Sequence, residues 1–172
     1  MAAPQIAIDV DPDTGVWRTD GLEMLYMPRH FFLNLLAEVE GAQGRDDFAR
    51  RLYDSGHRSA YQWCAHQAGV TGLAGLAVFH HYLTRLSQRG WGRFDGAGID
   101  ATGGEVRVRQ SCFVLGAEGG PPGRRCHLFA GWFPGALQWV ADAEDRAVRY
   151  SGREVACAAE GHDACRFRIA AA

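Results

Sequence analysis

Apolar and polar residues alternate near the start of the chain, and this alternation predicts a short β-hairpin. Ile6, Ile8 and Val10 are separated from one another by polar or small residues, and a period of two is typical of a strand. A turn-forming run follows at residues 11–15, and a return strand begins directly after it. We therefore expect residues 1–21 to form an N-terminal hairpin, or an arm that pairs with a partner.

A period of three to four residues replaces this alternation over residues 22–90 and predicts three helices. The first covers about 29–40 and follows a proline at the position where a first helical turn tolerates it. The second opens at 44–46, and the third covers 73–88 after a glycine-containing loop at 68–72. We expect these three helices to form the helical part of the fold.

The pattern changes again in residues 91–172, where we expect a sheet, a fourth helix and a closing hairpin. The fourth helix is predicted over about 124–142, with a kink or break at Pro134. Apolar alternation and short apolar runs predict strands at residues 105–109, 111–115, 147–158 and 165–170. No linker or internal repeat divides the chain, so we expect residues 1–172 to form a single domain of helices and strands.

The composition is that of an ordinary globular protein, and it excludes several functions. The 172 residues are 47% hydrophobic and 22% charged, with a formal net charge of −2. No basic stripe emerges, so we expect no nucleic-acid partner. Lysine is absent, which excludes lysine Schiff-base chemistry and a P-loop lysine. No apolar run is long enough for a membrane span and no signal peptide is recognised, so we expect a cytoplasmic protein.

Three of the five cysteines fall in the last third of the chain together with a glutamate: Cys126, Glu154, Cys157 and Cys165. Without a secretion signal, thiol or metal roles are expected for cysteines more than disulfides. Thiolates and a carboxylate oxygen are ligand types that a tetrahedral Zn²⁺ accepts, so we hypothesise that these four side chains bind zinc. The alternative is three buried thiols and a surface glutamate, and His162 is a further candidate ligand.

The spacing of Glu154 and Cys157 adds a structural prediction. Side chains an odd number of positions apart point to opposite faces of a regular strand. Both residues reach one ion only if the strand is irregular between them, so the zinc hypothesis predicts a β-bulge near residues 155–156. The two remaining cysteines, Cys64 and Cys112, lie in apolar contexts and are expected to be ordinary buried thiols.

The same stretch resembles the 4-vinyl reductase domain family. The pattern of that family is a cysteine before a G-[YW]-x2-G helix, followed by a closing E-x2-C-x7-C-[RK]-[FI] strand pair. This sequence matches it with Cys126, Gly131, Trp132, Gly135, Glu154, Cys157, Cys165, Arg166 and Phe167. The resemblance implies an α+β fold with helices packed on one antiparallel sheet, as in NO-signalling and Golgi-transport ligand-binding proteins. It also implies a structural zinc ion that ties the fourth helix to the C-terminal hairpin.

The resemblance further implies a pocket between the helices and the sheet for a small hydrophobic or aromatic ligand. Its expected lining is Phe79, His80, Tyr82, Val108, Gln110, Trp132 and Phe133. In the phenol-sensing branch of the family, two aromatic residues help to hold the phenol. The matching places here are Val108 and Gly152, so phenol specificity is not carried over. For His80 and its neighbour His81, an ordinary hydrogen bond to a backbone carbonyl is the alternative to a ligand contact.

Three classes of function follow from the resemblance. The bacteriochlorophyll-associated branch consists of short, stand-alone 4-vinyl reductase proteins, and likeness to it implies a tetrapyrrole ligand. The sequence has no G-x-G-x-x-G fingerprint between a strand and a helix, so no hydride-donating dinucleotide site is visible. We therefore expect a non-catalytic ligand-binding protein. The first alternative is an accessory protein or a vinyl reductase-type oxidoreductase acting on a bacteriochlorophyll precursor, and the second is a protein-interaction module.

A homodimer is also expected. The N-terminal hairpin presents Ile6, Ile8 and Trp17 on a short element. A two-stranded hairpin is marginally stable by itself, so a second copy of the chain is the natural partner for its apolar side chains.

Overall fold

The computed structural model describes residues 5–115 and 123–171, so the first four residues of the expected N-terminal arm lie outside the described residues. The described residues form an α+β fold, in agreement with the prediction. In chain order they are β1 (Asp9–Val10), β2 (Trp17–Thr19), β3 (Leu22–Met24), α1 (Arg29–Gln43), α2 (Arg45–Thr71), α3 (Leu76–Gln88), β4 (Arg93–Asp95), β5 (Gly103–Arg109), α4 (His127–Ala143), β6 (Tyr150–Ala156) and β7 (Cys165–Ala171). Within the described chain, no helix combines the length and apolarity that crossing a bilayer requires.

The turn between β2 and β3 attaches the N-terminal strands to the helices. Strands β1, β2 and β3 form a three-stranded antiparallel sheet, so the expected hairpin is extended by one strand. At the turn, Asp20 has a left-handed φ of 54°, and its carboxylate pairs with Arg85 of α3 and with Arg89 directly after α3. Its carbonyl oxygen accepts a hydrogen bond of 2.8 Å from Gln67 Nε2 of α2. The small sheet is therefore fixed to α2 and α3 of its own chain.

Two glycines allow α4 to pack directly on α2. Gly131 and Gly135 are four residues apart, so they lie on one face of the helix. A Cβ atom at Gly131 would lie 2.0 Å from the carbonyl oxygen of Tyr53, and one at Gly135 would lie 2.2 Å from that of His57. No side chain fits at such distances, so the two helices approach each other backbone to backbone. As a consequence α4 is deeply buried.

The second sheet is four-stranded and antiparallel, in the order β4-β5-β7-β6. Val106 and Val108 of β5 and Phe167 and Ile169 of β7 are buried on the face that packs against the helices. The residues between them, such as Arg107, lie on the opposite face and reach solvent. This is the alternation expected of a sheet with one covered and one solvated face. It agrees with the prediction of helices packed on one antiparallel sheet.

Two predictions about the second half of the chain are wrong. Residues 111–115 form a turn and not a strand, because the backbone N–H groups of Val114 and Leu115 both donate to the carbonyl oxygen of Ser111. The strand before them ends at Gln110, whose φ of 54° is incompatible with extended backbone. A break at Pro134 is also contradicted, since α4 continues through this residue, and a kink there stays a prediction.

Side chains from α2, α4 and the segment before α4 cover the free edge of β6. The N–H of Tyr150 donates to Gln138 Oε1 over 3.2 Å, and the N–H of Gly152 donates to the hydroxyl of Tyr53 over 3.2 Å. Further along, Arg124 Nη1 donates to the carbonyl oxygen of Glu154 over 2.8 Å. One outward-facing backbone group at each of these three positions is therefore satisfied without a neighbouring strand.

Candidate metal centre

Four buried side chains from three elements come together beneath the closing hairpin. Cys126 is the residue immediately before α4, Glu154 lies in β6, Cys157 follows β6 and Cys165 begins β7. One ligand atom from each lies within 4.8 Å of all the others. These are the same four residues for which the sequence predicts a zinc site, and the fold brings all of them into one group.

The strand irregularity predicted from the spacing of Glu154 and Cys157 is present. The register between β6 and β7 shifts between Glu154 and Ala156, which marks a β-bulge or irregularity there. A 3₁₀ turn at Ala158–Glu160 and a left-handed Gly161 with φ of 91° then reverse the chain and lead it towards Cys165. The bulge allows both Glu154 and Cys157 to reach the interior, which a regular strand would not permit.

The distances between the sulfur atoms fit a tetrahedral metal ion. The Sγ atom of Cys165 lies 3.7 Å from that of Cys126 and 3.8 Å from that of Cys157. Sulfur atoms bound to one zinc ion at about 2.3 Å in a tetrahedron are roughly 3.8 Å apart. A disulfide requires about 2.05 Å, so neither pair is oxidised. The arrangement therefore has the dimensions of a ligand set.

The carboxylate of Glu154 completes the group and has an unsatisfied oxygen. Its Oε2 atom accepts a hydrogen bond of 3.2 Å from the N–H of Cys126, while its buried Oε1 atom has no hydrogen-bond partner among the described residues. Burial, together with the neighbouring Cys157, raises the pKa of this carboxyl to about 8. A buried polar atom without a partner is costly, and a divalent cation between the three sulfurs and Oε1 would remove that cost. The residues present therefore fit a zinc ion.

The thiols of the group differ from the isolated thiols elsewhere in the core. Contacts with Cys126 and Cys165 lower the pKa of Cys157, and the same contact with Cys157 raises the pKa of Cys126. By contrast, burial alone raises the pKa of Cys64, and it raises that of Cys112 to about 12. The latter two cysteines are buried and free, as the sequence predicts for ordinary core thiols.

Two surrounding residues support the group and were not identified from the sequence. The hydroxyl of Ser111 lies 3.2 Å from Cys126 Sγ, and Arg124 donates to the carbonyl oxygens of Glu154 and Val155 at the bulge. Their roles depend on contacts between distant parts of the chain, and no local sequence motif indicates them. His162, the further ligand candidate, is exposed and does not belong to the group.

The residues predicted to line a ligand pocket divide between the core and the surface. Phe79, Tyr82, Val108, Trp132 and Phe133 are buried, whereas His80 and Gln110 are exposed. The buried members pack within a cluster of aromatic rings, with the centroids of Tyr82 and Trp132 separated by 6.0 Å. The neighbouring His81 lies 3.4 Å from Gln67 Oε1, so this contact is with a side chain and not with the backbone carbonyl that the sequence left as the alternative. That this cluster opens for a ligand stays a prediction.

A cleft that the sequence did not indicate lies beside the metal-ligand group. Its volume is about 290 Å³, and it is bounded by α1, by the start of α2 and by the residues around the start of α4. Both Arg124, which contacts the bulge, and His127, which follows Cys126, contribute to its walls. The cleft therefore lies next to the residues that hold the four ligand atoms together.

Comparisons with known proteins find the same fold in several solved structures. The phenol-responsive sensory domain of the transcription activator PoxR, solved with phenol, superposes with a TM-score of 0.68 at 16% identity, covering 95% of this chain and 84% of that chain. A trafficking protein particle complex subunit 3 from Naegleria fowleri, covalently bound to palmitic acid, gives a TM-score of 0.57 at 10% identity, covering 84% and 95%. A vinyl-4-reductase family protein from Methanocaldococcus jannaschii gives 0.52 at 14% identity, covering 87% and 84%.

These likenesses establish a shared fold. The identities are too low to transfer a ligand or an activity. The search of curated proteins returned no match. A family model described as Domain of unknown function (DUF5943) matches residues 2–97, which include the three-stranded sheet and the first three helices. The four candidate ligands lie outside that matched range.

Proposed function

The chain belongs to the DUF5943 family, and we propose that it is a small-molecule-binding domain whose closing hairpin is held by a structural zinc ion. The observation that carries the zinc proposal is the group of three sulfurs and one carboxylate with sulfur spacings of 3.7 and 3.8 Å. Cys126, Glu154, Cys157 and Cys165 would hold the ion. All four coordination positions are then filled by protein, which is the arrangement of a structural and not a catalytic zinc.

Elemental analysis tests the zinc proposal directly. Protein purified without added metal is expected to contain about one zinc per chain, because the ligands are preorganised and buried. Cys157→Ser is expected to lose the zinc, and Cys112→Ala is the matched control because it removes a buried thiol outside the group. A zinc content near zero in the unmodified protein would refute the site.

Binding of a small hydrophobic or aromatic molecule is the second part of the proposal. The fold supports it, since solved neighbours of this fold were obtained with phenol in one case and with palmitic acid in another. A structural zinc and the absence of a visible hydride donor in the sequence favour binding over catalysis. A shift in melting temperature with neutral compounds such as phenol tests it, and the absence of any shift across a panel of small aromatic compounds and fatty acids would contradict it.

Tetrapyrrole handling is the other candidate function, favoured by the fold shared with the vinyl-4-reductase family protein. The cleft volume of about 290 Å³ weighs against it, because pockets for drug-sized ligands begin at about this volume and a tetrapyrrole needs considerably more. An absorption spectrum of freshly purified protein decides between the two candidates. A Soret or chlorin band would favour the tetrapyrrole, and a colourless protein that binds small aromatics would exclude it.

We also propose that two copies of the chain associate through the N-terminal sheet and α1. Several large apolar side chains are exposed there: Ile8, Val10, Trp17, Leu25, Tyr26, Phe31 and Leu35. Exposed large apolar side chains grouped in neighbouring segments of the chain favour an association site. The five free cysteines fit a reducing compartment such as the cytoplasm.

One core joins α2, α3, α4 and the four-stranded sheet, which supports a single domain over residues 1–172.

A further inference from the structure

The cleft beneath α1 has an apolar lining. Its apolar lining residues are Leu33 and Leu36 of α1, Phe48 and Leu52 of α2, and Phe113. Phe48 and Phe113 belong to the buried part of the protein, at 6% and 3% exposure. A cleft of about 290 Å³ with such a lining accepts a single aromatic ring or a short alkyl chain.

One end of the same cleft is cationic. Arg45, Arg124 and Arg125 all line it, and Glu40 is the one carboxylate among the described lining residues. The guanidinium of Arg45 donates to the carbonyl oxygen of Arg124 over 3.1 Å. The guanidinium of Arg124 is itself engaged by the carbonyl oxygens of Glu154 and Val155 and by Glu160, so Arg45 is the cation placed to meet a ligand. An excess of guanidinium groups at the end of an apolar cleft is an arrangement that selects for an anionic group on an apolar body.

Helix α1, which forms the outer wall, is the least embedded of the helices in the described chain. None of its 15 residues is buried, although Leu33 and Leu36 pack against the core. The wall can therefore adjust to an occupant without disrupting the packing of α2 against α4. This distinguishes the cleft from the aromatic cluster around Trp132, whose members are already in contact with one another.

We propose that the cleft between α1 and the starts of α2 and α4 binds a small organic monocarboxylate, with its aryl or short alkyl body on the apolar lining and its carboxylate at Arg45. This rests on the proposed small-molecule-binding function and names the chemical class and location of the ligand. The guanidinium fork matches the two oxygens of a carboxylate, and the apolar wall accounts for the remaining atoms. Neutral analogues lack the group that the cationic end recognises.

Calorimetric titration of the zinc-loaded, full-length protein with two matched pairs of compounds tests the proposal. The pairs are benzoate with benzamide and octanoate with 1-octanol, which differ in charge while keeping the apolar body. The acids are expected to bind at least tenfold more tightly than their neutral partners. Equal affinities within both pairs would overturn the proposal, because the cationic end would then contribute nothing.

Two variants locate the site. Arg45→Met keeps the length and apolar contacts of the side chain and is expected to weaken benzoate binding at least tenfold, whereas Arg51→Met, an exposed arginine of α2 that does not line the cleft, is expected to leave it unchanged. Leu36→Trp fills the cleft from α1 and is expected to abolish binding of both acids. Zinc content and melting temperature measured on each variant establish that it is folded. Unchanged benzoate affinity in both Arg45→Met and Leu36→Trp would overturn the assignment.

The outcomes separate this proposal from the broader one. If phenol or benzamide binds and the acids have no advantage, the chain still binds small aromatic molecules and only the carboxylate assignment falls. If no compound of the panel binds to the folded, zinc-loaded protein, the small-molecule function itself is contradicted. If the acids bind with the expected preference but the Arg45 and Leu36 variants do not alter it, the ligand class stands and the location is wrong.

Discussion

Helices α1 and α4 are similar in length and rich in apolar residues, yet the fold uses them in opposite ways. Twelve of the 17 residues of α4 are buried, whereas none of the 15 residues of α1 is. Helix α4 lies between α2 and the four-stranded sheet, and its glycines allow the backbone of α2 to approach closely. Helix α1 leaves Phe31 and Leu35 about half exposed.

The comparison teaches that apolar content alone does not decide where a helix lies. In α4, small residues on one face and large ones on another permit contact on both sides. In α1, the apolar residues surround more of the helix than one neighbour can cover. We infer that stability is concentrated around α4 and the metal-ligand group, and that α1 serves contacts with a ligand and with another copy of the chain.

Loss of the metal-ligand group is expected to have the largest effect on the free energy of unfolding. Cys157→Ser, or treatment with a zinc chelator, is expected to reduce the free energy of unfolding by several kcal/mol, because the binding energy of a structural zinc contributes directly to folding. Chemical denaturation measures the loss, with Cys112→Ala as the variant that retains zinc. If the chelator leaves the denaturation midpoint unchanged, α4 is not fixed to the hairpin by a metal.

The change of the unfolding free energy with pH is expected to be the next largest effect. Burial raises the pKa of Glu154 from its usual value near 4.5 to about 8 in the metal-free fold. A raised pKa in the folded state stabilises the metal-free protein below pH 4.5, and this stability is lost as the pH rises through 8. Zinc competes with protons for the same ligands, so its own stabilising effect grows as the pH rises.

Denaturation at pH 6 and pH 8, with zinc and with chelator, measures this effect. The difference in unfolding free energy between the two forms is expected to widen at pH 8, and titrating groups outside the four ligands cancel because both forms share them. In metal-free Glu154→Gln protein, the part of the pH dependence due to this carboxyl is expected to disappear. A constant difference between the two forms would contradict the assignment of Glu154 as a ligand.

Adding a single methyl group to α4 or to α1 is expected to have the next largest effect on the free energy of unfolding. Gly131→Ala places a Cβ atom 2.0 Å from the carbonyl oxygen of Tyr53 and is expected to cost about 1–3 kcal/mol or more. Gly41→Ala on α1 meets no atom within 4 Å and is expected to stabilise the helix by up to about 1 kcal/mol. Thermal denaturation of the two variants compares them. Equal costs at the two positions would remove the distinction between the helices.

The smallest expected effect on the stability of the single chain comes from the exposed face of α1. Phe31→Ser and Leu35→Ser are expected to change the free energy of unfolding of the monomer by about 0.5 kcal/mol or less, as for most surface positions. The same changes are expected to weaken the proposed dimer, which analytical ultracentrifugation at micromolar concentration measures. A monomeric mass for the unmodified chain under these conditions would contradict the dimer.

The sequence predicted those features that depend on local spacing. The period of the apolar residues indicated four helices, and the odd separation of Glu154 and Cys157 predicted the irregularity that β6 contains. Cys157 and Cys165 lie close together as expected because a tight turn connects them, and Cys126 joins them from the residue directly before α4. The resemblance to a known pattern supplied the α+β arrangement that periodicity left open.

The remaining features depend on contacts between distant segments. Residues 111–115 are apolar like a strand, but the left-handed Gln110 and the hydrogen bonds to Ser111 turn the chain there. The support of the bulge by Arg124 links positions 30 residues apart. The cleft beneath α1 exists because this helix packs loosely on α2, and no pattern within either helix reveals the distance between them.

The covered edge of β6 has a consequence for how the protein behaves at high concentration. An open strand edge can template the addition of further chains and lead to fibrous aggregates. At three successive outward positions of β6, side chains of Gln138, Tyr53 and Arg124 already occupy the hydrogen-bonding groups. At the other edge of the sheet, β4 has only three residues, too few to offer an incoming strand a long template. This arrangement disfavours open-ended polymers through this sheet and is compatible with the closed dimer proposed at the N-terminal surface.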